Sequence, residues 1–382
     1  MQFVMIILGL AAALWGTILL VRGGLLAGCL LVLLAGSCFG HAFWNMPLGP
    51  APITLDRLLF VLVVGQCALL YKFGRTDSKP WGASEWLLIA FIAVLGLSTF
   101  THDWRVESNR PAATFVFFYL MPFAFYWVAR QMKLNDRSLW WIWGSLAVFG
   151  IYLSITAFAE VKEIWWLVYP RYIGDPSFEE YFGRGRGPYL NPTGAGLILT
   201  AGLIGCWMWW PRLKGTGRIA MLAASGLLVM GVYYTLTRSV WMGAGLAAMV
   251  VLALAMPRTW RLPTITALVL GSAMFLITNW ESLLSFKRDK DVSAADVADS
   301  AALRPVLAAV AWEMFLDRPL LGCGYGHYKT EHNYYLAQRK FGLNLEKARP
   351  YVQHNTFLSL LTEIGIVGLS IYVALLSMWS YQ

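Results

Sequence analysis

Apolar runs of about the length needed to cross a bilayer recur along this chain, and that repetition limits the fold more than any motif does. A spanning helix needs about 20 apolar residues, and a helix satisfies its own backbone hydrogen bonds in hydrocarbon. Such runs are read at 3–21, 24–43, 53–71, 84–101, 112–130, 138–158, 193–210, 219–237, 239–256, 263–280 and 355–378. The sequence therefore predicts an all-α, polytopic integral membrane protein with about eleven transmembrane helices, forming a single membrane domain over 1–382. Only 13% of the residues are charged, about half of the ~25% usual in soluble domains. Nineteen tryptophans suit aromatic belts at two interfaces. Met1-Gln2-Phe3 has no basic n-region, so no cleavable signal peptide is expected.

The formal charge of +9 belongs to the loops. Lys72, Arg75 and Lys79 fall between the third and fourth runs, and Arg130, Lys133 and Arg137 between the fifth and sixth. Arg212, Lys214 and Arg218 follow the seventh run, and Arg258 and Arg261 the ninth. Basic turns that alternate in this way mark one membrane face, the cytoplasmic one by the positive-inside rule. The other connections are expected outside: the Asn45–Pro52 turn, the 101–111 loop, the 159–192 loop, the turn at Arg238 and the 281–354 loop. The N-terminus is then expected outside and the C-terminus inside.

The 281–354 interval is much the longest stretch kept out of hydrocarbon. Asp289–Ser300, rich in Asp, Ala and Ser, is expected to be mobile. Ala301–Leu316 reads as an amphipathic helix from the spacing of Leu303, Val306, Leu307, Val310, Met314 and Phe315, with Pro305 in its first turn. A second helix is expected over His332–Phe341.

Several residues stand out for chemistry. Arg238 is wedged between two apolar runs without basic neighbours, and charge at a membrane edge is costly enough to mark a ligand or a pathway. The competing reading is an arginine snorkelling from a helix end. Arg304 has the planar fork that grips phosphate oxygens in pairs, though taken alone it also fits a solvated loop charge. Arg184 and Arg186 sit in the glycine-flanked turn Gly183-Arg184-Gly185-Arg186-Gly187, where backbone can approach an anion. His354 opens the last apolar run, and a neutral imidazole there can take a proton from a hydroxyl. His327 and His332 compete for that role.

Absent patterns narrow the class. There is no Walker sequence, no HExxH and no GxSxG stretch. The five cysteines form neither a CxxC pair nor a zinc-spaced cluster with histidine. No tight DxD pair is present to hold a metal-bound nucleotide sugar. No metal, cofactor or nucleic-acid partner is expected.

Three stretches together resemble the O-antigen ligase and polymerase superfamily of bacterial membrane proteins. They are Thr237-Arg238-Ser239-Val240-Trp241; Arg304 with Trp312, followed by Asp317-Arg318-Pro319-Leu320-Leu321-Gly322-Cys323-Gly324; and His354-Asn355 with Gly365 and Gly368, which match the ligase pattern H-N-x9-G-x2-G. Thr54-Leu55-Asp56-Arg57 and Asn191-Pro192-Thr193 add weaker support. The likeness covers about 180–370. It implies metal-independent, inverting transfer of a glycan from a polyprenyl-diphosphate carrier to a sugar hydroxyl, lipid A–core among the acceptors, at the outer face of the bacterial inner membrane. By the same resemblance Arg238 and Arg304 would bind the donor diphosphate and His354 would activate the acceptor; Arg184 and Arg186 are further donor-binding candidates from their glycine-flanked turn alone. A polysaccharide polymerase or a protein O-oligosaccharyltransferase of the superfamily is the alternative. A transporter of a lipid-linked glycan fits less well, since no internal repeat is visible.

Overall fold

The structure is a computed structural model, and it describes residues 22–46, 52–106, 110–279 and 294–381. The first apolar run, 3–21, lies outside the described residues, as do 47–51 of the Asn45–Pro52 turn and 280–293 of the long loop. The fold is helical. Its long helices are α1 Arg22–Cys38, α2 Leu55–Lys72, α3 Ala83–Phe100, α4 Pro111–Arg130, α5 Asp136–Val161, α6 Pro192–Trp209, α7 Thr216–Tyr234, α8 Arg238–Ala255, α9 Arg258–Thr278, α10 Ala294–Asp317 and α11 Thr356–Tyr381. Short helical turns and two two-residue antiparallel ladders lie in the connections. The pair β1 (Asn45–Met46) and β2 (Ile53–Thr54) precedes α2, and β3 (Arg339–Lys340) pairs with β4 (Leu343–Asn344) in the long loop.

Seven helices among the described residues are long and apolar enough to cross a membrane: α3, α4, α5, α6 with its short extension to Arg212, α7, α8 and α11. Helices α2 and α9 also occupy expected runs, but each begins with charged residues, Asp56 and Arg57 in one and Arg258 and Arg261 in the other.

The chain forms two compact units. The first comprises Met1–Thr76 and Met132–Val292, the second Asp77–Gln131 and Ser293–Gln382. In the first unit α5, α6, α7 and α8 pack around Phe149, Leu153, Leu199, Leu203, Leu228 and Val232. Small residues let these helices approach closely, as membrane helix pairs require. A Cβ on Gly231 would lie 2.3 Å from the Ser154 hydroxyl, and one on Gly202 2.9 Å from the Leu146 carbonyl.

The second unit has two cores. Phe91, Leu95, Phe115, Leu360 and Ile364 join α3, α4 and α11, and Tyr325 of the long loop inserts among them. The loop also has a core of its own, in which Val306, Leu307, Val310 and Met314 of α10 meet Cys323, Tyr328, Leu336, Leu345 and Ala348. The apolar spacing read from the sequence is thus the buried stripe of α10. Two expectations about this region are corrected. Helix α10 begins at Ala294, so 294–300 are helical and Pro305 lies in the helix interior instead of the first turn. The alanines of Ala294-Ala295-Asp296-Val297-Ala298 favour helix enough to extend it through a polar segment. The expected helix His332–Phe341 is two single turns, Tyr328–Glu331 and Asn333–Leu336, followed by the β3–β4 hairpin. Gly342 at φ +71° makes that tight reversal, which ends the helical path.

Helix α11 is broken at Gly365, whose φ and ψ of 65° and −167° lie in a region open essentially to glycine alone. A Cβ there would sit 2.2 Å from the Leu320 carbonyl oxygen. Gly365→Ala should therefore cost at least about 1–3 kcal/mol from backbone strain, seen as a marked fall in the melting temperature of detergent-purified protein. Gly271→Ala, with open space around the new methyl group, should leave it unchanged or slightly raised. Equal melting temperatures for the two variants would remove the break from the fold's requirements.

Candidate functional site

Asn355 shapes the entrance to α11. Its side-chain oxygen accepts the backbone N–H groups of Phe357 (2.9 Å) and Leu358 (3.2 Å), a helix N-cap. Two residues earlier, buried Gln353 donates to the Thr362 hydroxyl at 2.8 Å and ties the incoming chain to the helix. Between these anchors His354 adopts a left-handed backbone (φ 50°) and its imidazole is exposed. It has no hydrogen-bond partner among the described residues. Its two neighbours thus hold its backbone while its ring remains open to a ligand.

The break in α11 is filled by the loop that follows α10. Helical N–H groups just after Gly365 lose their i−4 acceptors, and carbonyls before it lose their donors. The loop replaces both. Ile366 N–H donates to Pro319 (2.9 Å), while Cys323 N–H donates to Thr362 (2.9 Å) and Gly324 N–H to Glu363 (3.0 Å). Gly322 lies so close to this backbone that a Cβ would come within 2.4 Å of the Glu363 carbonyl carbon. The side chain of Glu363 turns the same way and accepts the N–H groups of Gly326 and Tyr328. Glu363 is 8% exposed and is the sole charged residue of α11. Sequence reasoning passed over it, although a lone carboxylate within an apolar run was the available signal.

Arg304 is exposed on α10, one residue before Pro305, with Trp312 two turns further on also exposed. The buried stripe faces the loop core, so Arg304 presents its fork away from it. Beyond the helix Arg318 pairs with Glu331 at 3.2 Å and Tyr335 donates to Asp317 at 2.6 Å, both exposed contacts that brace the loop. Lys340 pairs with the largely buried Glu313.

The competing histidines are placed differently from His354. His327 is 6% exposed, its ring 5.5 Å from that of His102. Burial, then the neighbouring His102, pushes its pKa below the usual histidine value, so it stays neutral. His332 is also buried, stacked on Tyr328 and bonded to the Arg349 carbonyl at 3.2 Å. Both belong to the packing of the loop. Cys323 is buried too, and burial pushes its thiol up to about 12, which leaves no thiolate for chemistry.

In the first unit Arg238 opens α8 directly after the turn Thr235–Thr237, where Leu236 has φ 47°. Trp241 clamps this turn, its indole N–H donating to the Val232 carbonyl at 3.0 Å and its ring stacked on Tyr233. Arg238 as a residue is half-buried. The Gly183–Gly187 turn is brought to the same end of the helices, because Gly185 N–H donates to the Tyr234 carbonyl at 2.9 Å. Arg184 there is half-buried over the Tyr181 ring.

Arg186 is 1% exposed. It pairs with Glu160 at 3.8 Å and donates to the carbonyls of Ile173 (3.0 Å), Glu180 (2.9 Å) and Phe178. Glu160 in turn accepts the Gly187 N–H at 2.8 Å. Protein oxygens therefore surround this guanidinium, and its visible task is to fasten the 162–191 connection to the end of α5.

These features define a helical membrane protein with a folded polar lobe capped onto its last helix. Residues 223–373 match the model of a family described as O-antigen ligase, which supports a likeness of this region to the O-antigen ligase superfamily. The match starts within α7 and ends within α11, so it takes in Arg238, Arg304 and His354 and leaves out Arg184 and Arg186. No curated protein and no solved structure matches the chain.

Arg186→Gln should destabilise the protein by about 3–5 kcal/mol by leaving Glu160 buried without its cation, and adding Glu160→Gln should recover part of that loss. Thermal unfolding of the single and double variants reads this directly. A single variant with unchanged unfolding but impaired donor use would instead make Arg186 a ligand contact.

Proposed function

We propose that the protein is a membrane glycosyltransferase that moves a glycan from a polyprenyl-diphosphate carrier to a sugar hydroxyl at the outer face of the bacterial inner membrane. The observation that carries this reading is the O-antigen ligase match over 223–373, which contains Arg238, Arg304 and His354. Exposure of His354 on a fixed backbone supports its assignment as the base. In the reaction the acceptor O–H gives its proton to a ring nitrogen of His354. Its oxygen then attacks the anomeric carbon from the side opposite the carrier, and the bond from that carbon to the diphosphate oxygen breaks. The electron pair leaves with the diphosphate, and Arg238 and Arg304 stabilise the charge that grows there. A diphosphate is already a good leaving group, so two fixed cations suffice and no metal step is required. The H-N-x9-G-x2-G pattern favours a ligase, for which lipid A–core is the acceptor to test first.

The test is transfer in detergent or liposomes with purified protein, a polyprenyl-diphosphate glycan, and lipid A–core or a second glycan as acceptor. His354→Ala should lower kcat by about 10²–10⁴-fold, the usual worth of a general base, without altering thermal unfolding. Arg238→Ala and Arg304→Ala should each lower kcat/KM for the donor by about 10²–10³-fold, and lysine should rescue poorly because the fork is lost. Transfer that survives His354→Ala excludes it as the base. Inhibition by chelators would overturn the metal-free scheme, and transfer to a second glycan alone would make the enzyme a polymerase.

A further inference from the structure

The strongest unassigned feature is a lipid-sized groove on the first unit. It has a volume of about 650 Å3 and runs between α1 and α5, from Trp140 and Trp141 past Gly144 and Val148 to Tyr152. Its walls are almost wholly apolar. Phe39 and Tyr169 close the far end, where the Tyr152 hydroxyl donates to the Tyr169 carbonyl. Trp140 and Tyr152 are twelve positions apart on one helix, so the groove is about 18 Å long at 1.5 Å per residue. That is close to one leaflet of a hydrocarbon core about 30 Å thick. A chain bound here would belong to a lipid of a single leaflet.

The near end decides which lipid. Trp140 and Trp141 also line a second pocket, of about 460 Å3, completed by Asp136, Arg137, Trp209 and Arg212. The two spaces share these indoles and so adjoin. Arg212 stacks on Trp209 at 4.6 Å and pairs with Asp136 at 3.3 Å. Two arginines against one aspartate leave the pocket with a net positive charge, and Lys133, Lys214 and Arg218 lie in the same two turns. The indole N–H of Trp209 has no acceptor among the described residues. An apolar slot of one-leaflet length thus adjoins a cationic, tryptophan-lined pocket at the level of the basic turns.

We propose that this is a binding site for one anionic glycerophospholipid, its acyl chain in the groove and its phosphate at Arg137 and Arg212. It lies at the opposite end of α5 from Glu160, and so from the Arg186 and Arg238 turns. The site therefore holds a resident lipid of the other leaflet and not the donor. An exposed ion pair such as Arg212–Asp136 contributes little to stability, so its residues can be changed without unfolding the protein.

Native mass spectrometry of the full chain in detergent, offered phosphatidylglycerol and phosphatidylcholine in equal amounts, tests this. Phosphatidylglycerol should be retained about five- to ten-fold more, as a net single positive charge near a phosphate gives. R137Q/R212Q should abolish that preference, whereas K214Q/R218Q, on the same face outside the pocket, should keep it. Ser145→Trp, placed in the groove, should reduce retention of both lipids. Equal retention of the two lipids by the unaltered protein, or equal losses in the two double variants, would overturn the proposal and leave diffuse surface attraction. Preferential retention of a polyprenyl phosphate over phosphatidylglycerol would also overturn it, making the groove a carrier site.

Discussion

A backbone polar group in hydrocarbon must find a partner within the protein, and the second unit is arranged around one place where a helix fails to supply it. Gly365 stops the hydrogen-bond ladder of α11 ten residues after Asn355, about 15 Å along the helix. Left alone, such a break would strand N–H and C=O groups where water is scarce. The segment Pro319–Gly324 takes them up one by one, which holds the polar lobe on the helix through backbone contacts. Backbone can approach that closely only where side chains are missing, hence glycine at 322 and 365. Glu363 then extends the junction with two further N–H groups of the same loop.

Charge is sorted along the helices within each unit. In the first, Arg212 and Asp136 meet at one end of α5, while Arg186 and Glu160 meet at the other, 24 positions and about 36 Å away. In the second, Arg130 bonds to the Pro80 carbonyl at one end of α3 and α4, while Tyr325 N–H bonds to Ser98 at the other. The basic turns therefore collect at one end of each helix set, while Glu160 and Arg186 are held in buried contacts at the other end of α5. Alternation of this kind in the sequence is what the positive-inside rule uses, and within each unit the helices carry it into three dimensions.

Helix positions were legible because a bilayer imposes a length on every crossing segment, and α3 to α8 fall within a few residues of the apolar runs. The amphipathic face of α10 was legible for a similar reason, since a period of 3.6 survives in Val306, Leu307, Val310 and Met314. What escaped was set by partners distant in the chain. Arg186 looked like an anion contact because glycines flank it, but Glu160, 26 residues earlier, claims it. The break at Gly365 was hidden because nothing local distinguishes a glycine inside a packed helix from one that ends it. Only the approach of Leu320 does so. His332–Phe341 looked helical until the reversal at Gly342 intervened.

This distinction bears on the pattern shared with the ligase family. Its residues divide by what surrounds them. Asn355, Gly365, Gly322 and Gly324 are accounted for by a cap, a broken ladder and close backbone contact, and would be needed even in a protein without chemistry. His354 and Arg304 have no such account. The first is exposed between two anchored neighbours, and the second is exposed on a helix whose buried face is elsewhere. A polar side chain that the fold does not use, on backbone that the fold holds firmly, is what preorganised chemistry requires. The structural half of the pattern thus holds the backbone on which His354 stands exposed at the start of α11.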